Sequence, residues 1–279
     1  MNENKTLAAR FFFRNCTVSI YQPGEMQISY NLKPDIGDVV FDRDFSPASS
    51  SSEFIGGQSD FYRFLDGTST TSLSLVKKLL TIGYLLCNKL PKHMPMRFRS
   101  FICVNEDKTA ICNGKSLFCN AIAHYCNTVQ IEGRAFRSHL GLSNVTNQTQ
   151  LLIVEGVSNR FDIQQIYPLC SDDWIINRKG LKPLIIPFKS SPHMLLVSNI
   201  AIANLRSDGG FRRRFRTLEF SSFFSESNTV GDFLGHNMFT DWNISQWHAF
   251  DNLMFHCVLE YLRNYSKGED IFSLYSYKD

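Results

Sequence analysis

Asn113-Gly114-Lys115-Ser116 is the stretch whose residue types and spacing suit a defined chemistry. Phe101–Val104 before it is a short apolar run, expected as a buried parallel strand. After it, Leu117, Ala121 and Tyr125 recur at helical spacing. Strand, polar loop, Gly-Lys-Ser and helix is the layout of a phosphate-binding loop. Backbone N–H groups at such a loop and helix start cradle a phosphate. Lys115 would meet the β/γ-phosphates and Ser116 would ligate Mg²⁺, so ATP and Mg²⁺ are the expected cofactors. In the usual G-x-x-x-x-G-K-[ST] pattern the first glycine falls here on Thr109. The competing reading of Gly-Lys-Ser alone is a surface turn with a solvated lysine.

Further residues suit the same chemistry. Leu151–Val154 is wholly apolar and ends in Glu155, the form of a buried strand that carries an acid to its tip. A carboxylate there holds the water shell of a metal ion; the competing reading is a core strand capped by a solvated glutamate. Met194–Val197 is another apolar run, ending in Ser198-Asn199, and a polar side chain at that tip can orient an attacking water. Trp174–Phe188 has two apolar arms around Asn177–Pro183, a β-hairpin with a basic tip. Arg178, Lys179 and Lys182 on that tip either grip a nucleic-acid backbone or point into solvent. Gly209-Gly210 is followed by arginines at 212, 213, 214 and 216. Arginines here could reach a nucleotide held by a neighbouring subunit, as an arginine finger does, and the competing reading is surface charge or a nucleic-acid patch.

The remaining elements must position these groups. Leu75, Val76, Leu79, Ile82 and Leu86 share one face, which predicts a helix over Ser72–Cys87. Leu90–Arg99 follows with two prolines and basic side chains, either a phosphate-facing patch or a solvated linker. Thr128–Ile131 and Phe215–Phe220 read as strands, Arg134–Leu140 and Phe161–Leu169 as helices. Asn243 and Gln246 form a capping box for a helix whose stripe is Trp247, Phe250, Met254, Val258 and Leu262. Short strands fit Cys16–Tyr21, Met26–Tyr30 and Gly37–Phe41. The expected organisation is an irregular lead over 1–70, a helical segment over 71–100, the core over 101–222 and a helical segment over 223–279.

Composition sets bounds. The chain has 279 residues, 43% hydrophobic, with 24 Phe, enough for one large domain or two modest ones. A formal charge of +3 means that any nucleic acid must be met by a local patch. No apolar run approaches a membrane span, and the N-terminus lacks the pattern of a signal peptide. The eight Cys include no C-x-x-C pair. Cys119 and Cys126 share a helical face, where thiols pack as small hydrophobes, so a reduced cytoplasmic protein without a cysteine metal site is expected. Asn144-Val-Thr and Asn147-Gln-Thr then mean only a polar loop.

The order of these motifs resembles the superfamily 3 helicases of phage and plasmid primase–helicase type. The likeness runs from about Ser72 to Leu262 and is strongest in WIINRKGLKPLIIPF, SPHMLLVSN and GGFRRRFRTLEF. It implies an α/β fold: a P-loop NTPase, AAA+-like core with a mostly parallel central sheet, flanking helices and a basic β-hairpin. By position, Asn113, Gly114, Lys115 and Ser116 would bind nucleotide, with Ser116 and Glu155 at the metal. Asn199 would be the sensor residue, and Arg212 or Arg213 the finger. Arg178, Lys179 and Lys182 would track single-stranded DNA inside a homo-oligomer, expected to be a hexamer. The implied function is an ATP-dependent DNA helicase in phage or mobile-element replication, in a host cytoplasm, with primase or polymerase as possible partners. Two positions depart from the family: Thr109, and Gly156 where a second acid normally follows Glu155. Asp162 or Asp172 could stand in for that acid. The alternative is a nucleotide- and DNA-binding oligomer with weak or no hydrolysis.

Overall fold

Apolar runs placed between polar loops give the strands, and the periodic segments give the helices. The computed structural model describes residues 5–55, 58–87, 89, 100–106, 113–137, 141–158, 161–201 and 209–266, less the side chains of residues 200, 201, 213, 265 and 266. In chain order the strands are β1 (Leu7–Phe12), β2 (Thr17–Tyr21), β3 (Glu25–Ser29), β4 (Val39–Val40), β5 (Ser100–Asn105), β6 (Thr128–Glu132), β7 (Leu151–Val157), β8 (Trp174–Ile176), β9 (Leu184–Ile186), β10 (His193–Ala201) and β11 (Phe215–Phe220). The helices are α1 (Asp60–Gly67), α2 (Ser72–Leu86), α3 (Lys115–Ala123), α4 (Gly209–Arg214), α5 (Val230–Leu234) and α6 (Ile244–Ser266). The basic segment 90–99, Thr109, Cys112 and residues 138–140 lie outside the described residues.

The chain divides into two compact units, one of residues 1–90, 111–114 and 221–279, the other of 91–110 and 115–220. In the second unit, five strands form a sheet of order β11-β5-β10-β7-β6. Every neighbouring pair in it is parallel. Parallel strands covered on both faces need continuous apolar sequence, and all of β5 and the stretch Leu151–Val154 of β7 are buried. The neighbours β5 and β10 send the chain onward to opposite edges of the sheet, β6 and β11. Ligands in open parallel sheets sit outside the carboxyl ends of such strands. This is the α/β, P-loop NTPase-like core that the sequence implies. Strands β8 and β9 pair antiparallel as the expected hairpin.

In the first unit the short strands expected over 16–21, 26–30 and 37–41 are present as β2, β3 and β4, but not as part of an irregular lead. The stretch read as an irregular lead holds a four-stranded sheet of order β3-β2-β1-β4. Its core is aromatic: the Phe11 and Phe255 rings stack at 5.1 Å, and Phe13 and Phe41 at 4.6 Å. Arg43 makes bonds of 3.1 and 2.5 Å to the buried Asp251 carboxylate of α6. Its guanidinium also lies 4.4 Å from both the Phe41 and Trp247 ring centres. Over 134–137, the described part of one expected helix, there is a 3₁₀ turn, Ala135–Arg137; the helix expected over 161–169 is instead two 3₁₀ turns, Ile163–Ile166 and Pro168–Cys170. A proline there forbids a continuous α-helix. The α6 capping box is as expected: Asn243 Oδ1 accepts from Ser245 N at 2.9 Å and Gln246 N at 3.2 Å, while Asn243 N donates to Gln246 Oε1 at 2.8 Å.

Helices α2 and α6 meet where Gly83 leaves no side chain. A Cβ there would lie 2.1 Å from the Cys257 carbonyl oxygen and 2.7 Å from Tyr261 Cβ. Neither can yield without moving the α6 backbone, so Gly83→Ala is expected to destabilise this unit by about 1–3 kcal/mol, the scale of an overpacked core. A urea unfolding midpoint equal to wild type would show that the helices can part freely.

Candidate functional site

The residues with chemistry gather at the carboxyl end of the parallel sheet. Gly114 has φ +86, the left-handed conformation that glycine enters without a Cβ penalty. Helix α3 then starts at Lys115, which is only 5% exposed. Its Nζ donates to Oδ1 of Asn105, the last residue of β5. Asn105 Nδ2 in turn donates to the Asn199 carbonyl of β10 at 3.3 Å. One residue on from Lys115, the Ser116 hydroxyl donates to Glu155 Oε2 at 3.3 Å. The other carboxylate oxygen, Oε1, accepts from Gln130 Nε2 of β6 at 3.4 Å. Burial pushes the Glu155 carboxyl above its ordinary range, against the opposing pull of the Ser116 hydrogen bond and the Lys115 charge.

The structure thus brings Lys115, Ser116 and Glu155 together, with Asn199 one hydrogen-bonded residue away. The Asn199 side chain is exposed and its neighbour Ser198 is buried, where the Ser198 hydroxyl donates to the Val157 carbonyl at 2.8 Å. Asn113 is buried. A hydroxyl and a carboxylate form a hard oxygen donor set, which fits Mg²⁺ completed by water and phosphate oxygens. Among the described residues no group of three or more His, Cys, Asp or Glu could hold a metal by itself.

Gly156 does more than leave out an acid. On β7, Val154 and Val157 pair with Leu196 and Ser198 of β10, so three steps on one strand match two on the other. Gly156 takes φ +67 in that bulge. A Cβ would meet nothing within 4 Å, so the obstacle to an acid here is backbone conformation, not space. The two suggested stand-ins are exposed and engaged locally: Asp162 Oδ1 caps Gln164 N at 3.1 Å, and Asp172 Oδ2 accepts from the Ser171 hydroxyl at 3.2 Å.

The remaining predicted residues lie elsewhere. Arg212 is exposed on α4, and the Arg213 side chain lies outside the described residues. Helix α4 leads into β11, whose Phe215 pairs with Ser100 at the start of β5, whereas Phe220 pairs with Asn105 at its end. Arg212 therefore belongs to the amino end of the sheet, a strand length of roughly 17–20 Å from the Lys115 end. Its neighbour Arg214 stacks its guanidinium 4.6 Å from the Tyr167 ring centre. At the hairpin, Leu181 N donates to Arg178 O at 3.2 Å and Gly180 takes φ +71. Arg178 is half-buried and donates to the Lys182 carbonyl at 3.3 Å, while the Lys179 and Lys182 side chains are exposed.

Asn105 and Gln130 were not singled out by the sequence. The available signal for Asn105 was a polar residue directly after the apolar run Phe101–Val104. Gln130 offered none, because it is one polar residue in a half-polar edge strand.

No family model matches this chain, and no curated protein does. Among solved structures, similarity extends to the A-form apo structure of the NrS-1 C-terminal region, at TM-score 0.47 and 13% identity over 91% of this chain and 65% of that one. A second such structure, of NrS-1 residues 305–718, gives 0.43 and 12% over the same shares. JCV helicase, bound to a thiazolopyridine phenoxyphenyl acetamide, gives 0.40 and 10% over 76% of this chain and 61% of that one. This chain spans less than two thirds of the length of each. At those scores the fold rests on the strand order and pairing instead. Among the described residues no helix is long and apolar enough to cross a membrane.

The raised Glu155 carboxyl has a consequence for stability. A carboxyl whose folded pKa lies above its unfolded value favours the folded state while protonated, and that gain is lost as pH rises through the folded pKa. Above that pKa the ionised Glu155 is a net cost. Glu155→Gln is expected to melt at or above the wild-type temperature at pH 7, with the advantage shrinking as pH falls through the raised folded pKa and gone below the ordinary carboxylate value. A large drop in Tm at pH 7 would mean that Glu155 is a structural ion-pair member instead.

Proposed function

We propose that the parallel-sheet unit is the ATP-binding motor core of a superfamily 3-like DNA helicase in phage or mobile-element replication. The observation that carries this reading is the convergence of Ser116 and Glu155, 3.3 Å apart, with the buried Lys115 one residue before Ser116 at the head of α3. Lys115 would bind the β/γ-phosphates and Gly114 would let the backbone approach them. Ser116 and Glu155 would hold Mg²⁺, which when bound neutralises the phosphate charge. The exposed Asn199 side chain would orient the attacking water. Arg212 or Arg213, on the far side of the sheet from Lys115, would act on the nucleotide of a neighbouring subunit; a ring, expected to be a hexamer, meets that requirement. Lys179 and Lys182 are exposed as single-stranded DNA contacts require, with Arg178 bracing the hairpin turn. Primase or polymerase partners and a host-cytoplasmic setting belong to the same reading.

The left-handed Gly156 favours a second reading, an oligomer that binds ATP and DNA but turns over slowly or not at all. ATPase measurements with and without single-stranded DNA separate the two. The helicase reading expects turnover stimulated by DNA. Both readings expect Lys115→Ala to abolish ATP binding in calorimetry while the circular dichroism of the fold persists. Equal ATP affinity in that variant would sink the phosphate-loop assignment.

The hairpin makes its own prediction. Lys179→Ala with Lys182→Ala removes two phosphate contacts, so the slope of log affinity against log salt for single strands should shrink by about 1.4. An unchanged slope would leave the tip as a solvated turn.

A further inference from the structure

Asn105 occupies a place that the nucleotide reading does not itself use. It closes β5 and is 2% exposed. A carboxamide has one accepting and one donating end, and here the partners dictate which faces which. The Lys115 ammonium can only donate, and it takes Oδ1. The Asn199 carbonyl can only accept, and it takes Nδ2 at 3.3 Å. That carbonyl lies in a slip of the ladder. Val197 pairs with Cys103 and Ala201 with Asn105, so β10 spends four steps where β5 spends two. The Asn105 amide therefore bridges the phosphate-loop lysine and the irregular part of the strand that carries the sensor position.

The neutrality of this acceptor matters. A buried ammonium must be hydrogen-bonded, and a carboxylate would hold it more strongly than an amide. An amide satisfies the lysine yet yields it to a more highly charged phosphate. We propose that Asn105 is a positioning residue that holds Lys115 poised without nucleotide and links the state of the lysine to Asn199. This rests on Lys115 being the phosphate ligand. When the ammonium turns to a phosphate, Oδ1 loses that donor and the constraint on the amide at Asn199 changes with it.

Two variants of the full chain test this, with MgATP as the probe. Asn105→Asp supplies a carboxylate, and its MgATP affinity should fall about ten-fold or more, because the ammonium must leave an ion pair. Asn105→Leu keeps the volume without a hold on either partner. Its affinity should stay within about three-fold of wild type or tighten, while kcat falls about ten-fold because Asn199 is no longer tied. A residue that only fills space would move both affinities the same way. A second measurement needs no nucleotide: the Tm loss caused by Asn105→Asp, taken with Lys115 present and in a Lys115→Met background. With Lys115 the new carboxylate is paired, and without it the charge is buried alone, so the loss should be larger by roughly 3 °C or more. A wild type that fails to bind MgATP overturns the nucleotide reading and the link drawn from it. A wild type that binds, with both variants shifted alike or with equal Tm losses in the two backgrounds, overturns the role of Asn105 alone.

Discussion

A lysine ammonium buried at the end of an apolar sheet is the constraint on which the site turns. Lys115 is 5% exposed, at the head of α3, which packs on the largely apolar strands β7 and β10. Burying such a charge is costly unless acceptors meet it. The sheet can offer acceptors only where its ladder ends or slips. Asn105 is the last residue of β5, and the Asn199 carbonyl lies in the slip of β10. The need to satisfy Lys115 thus accounts for Asn105 at the end of β5, whose amide is in turn held by the Asn199 carbonyl.

Both irregularities of the central strands occur at that same end. The bulge around Gly156 and the slip between Val197 and Ala201 flank the carboxyl ends of β7 and β10. Extra residues there free backbone groups from the ladder and re-aim side chains. Glu155 sits immediately before the left-handed Gly156 and is half-buried, with its two oxygens facing Ser116 and Gln130. The sheet is regular where it needs only to be stable and irregular where it meets the candidate ligand site.

Much of the parallel-sheet unit is legible in the sequence because its signals are local. Phe101–Val104, Leu151–Val154 and Met194–Val197 are strands buried on both faces, which require uninterrupted apolar residues. The Asn243–Gln246 capping box and the hairpin arms are equally local. The four-stranded sheet of the first unit is less legible because long-range contacts decide it. Leu7–Phe12 has no clean alternation, and Phe11 and Phe13 are buried against Phe255, more than 200 positions away, the first stacked on its ring and the second edge-on. The Asn105 bridge was hidden for a related reason. Its two partners come from a later helix and a later strand, and only the strand order places them together.

The same strand order constrains where the arginines can act. Because β11 runs parallel to β5, α4 precedes its amino end, and Asn105 and Lys115 lie at the opposite end. A nucleotide bound by Lys115 would then be a strand length from Arg212 of the same chain, beyond the reach of one side chain. Arginines in this sequence position can serve such a nucleotide only from another copy of the chain. If they do not, their job is local, as Arg214 on Tyr167 and Arg216 on the Arg212 carbonyl at 2.6 Å already illustrate. The parallel sheet thus turns a question about catalysis into one about assembly: a site complete within one chain would need its finger from a different part of the sequence.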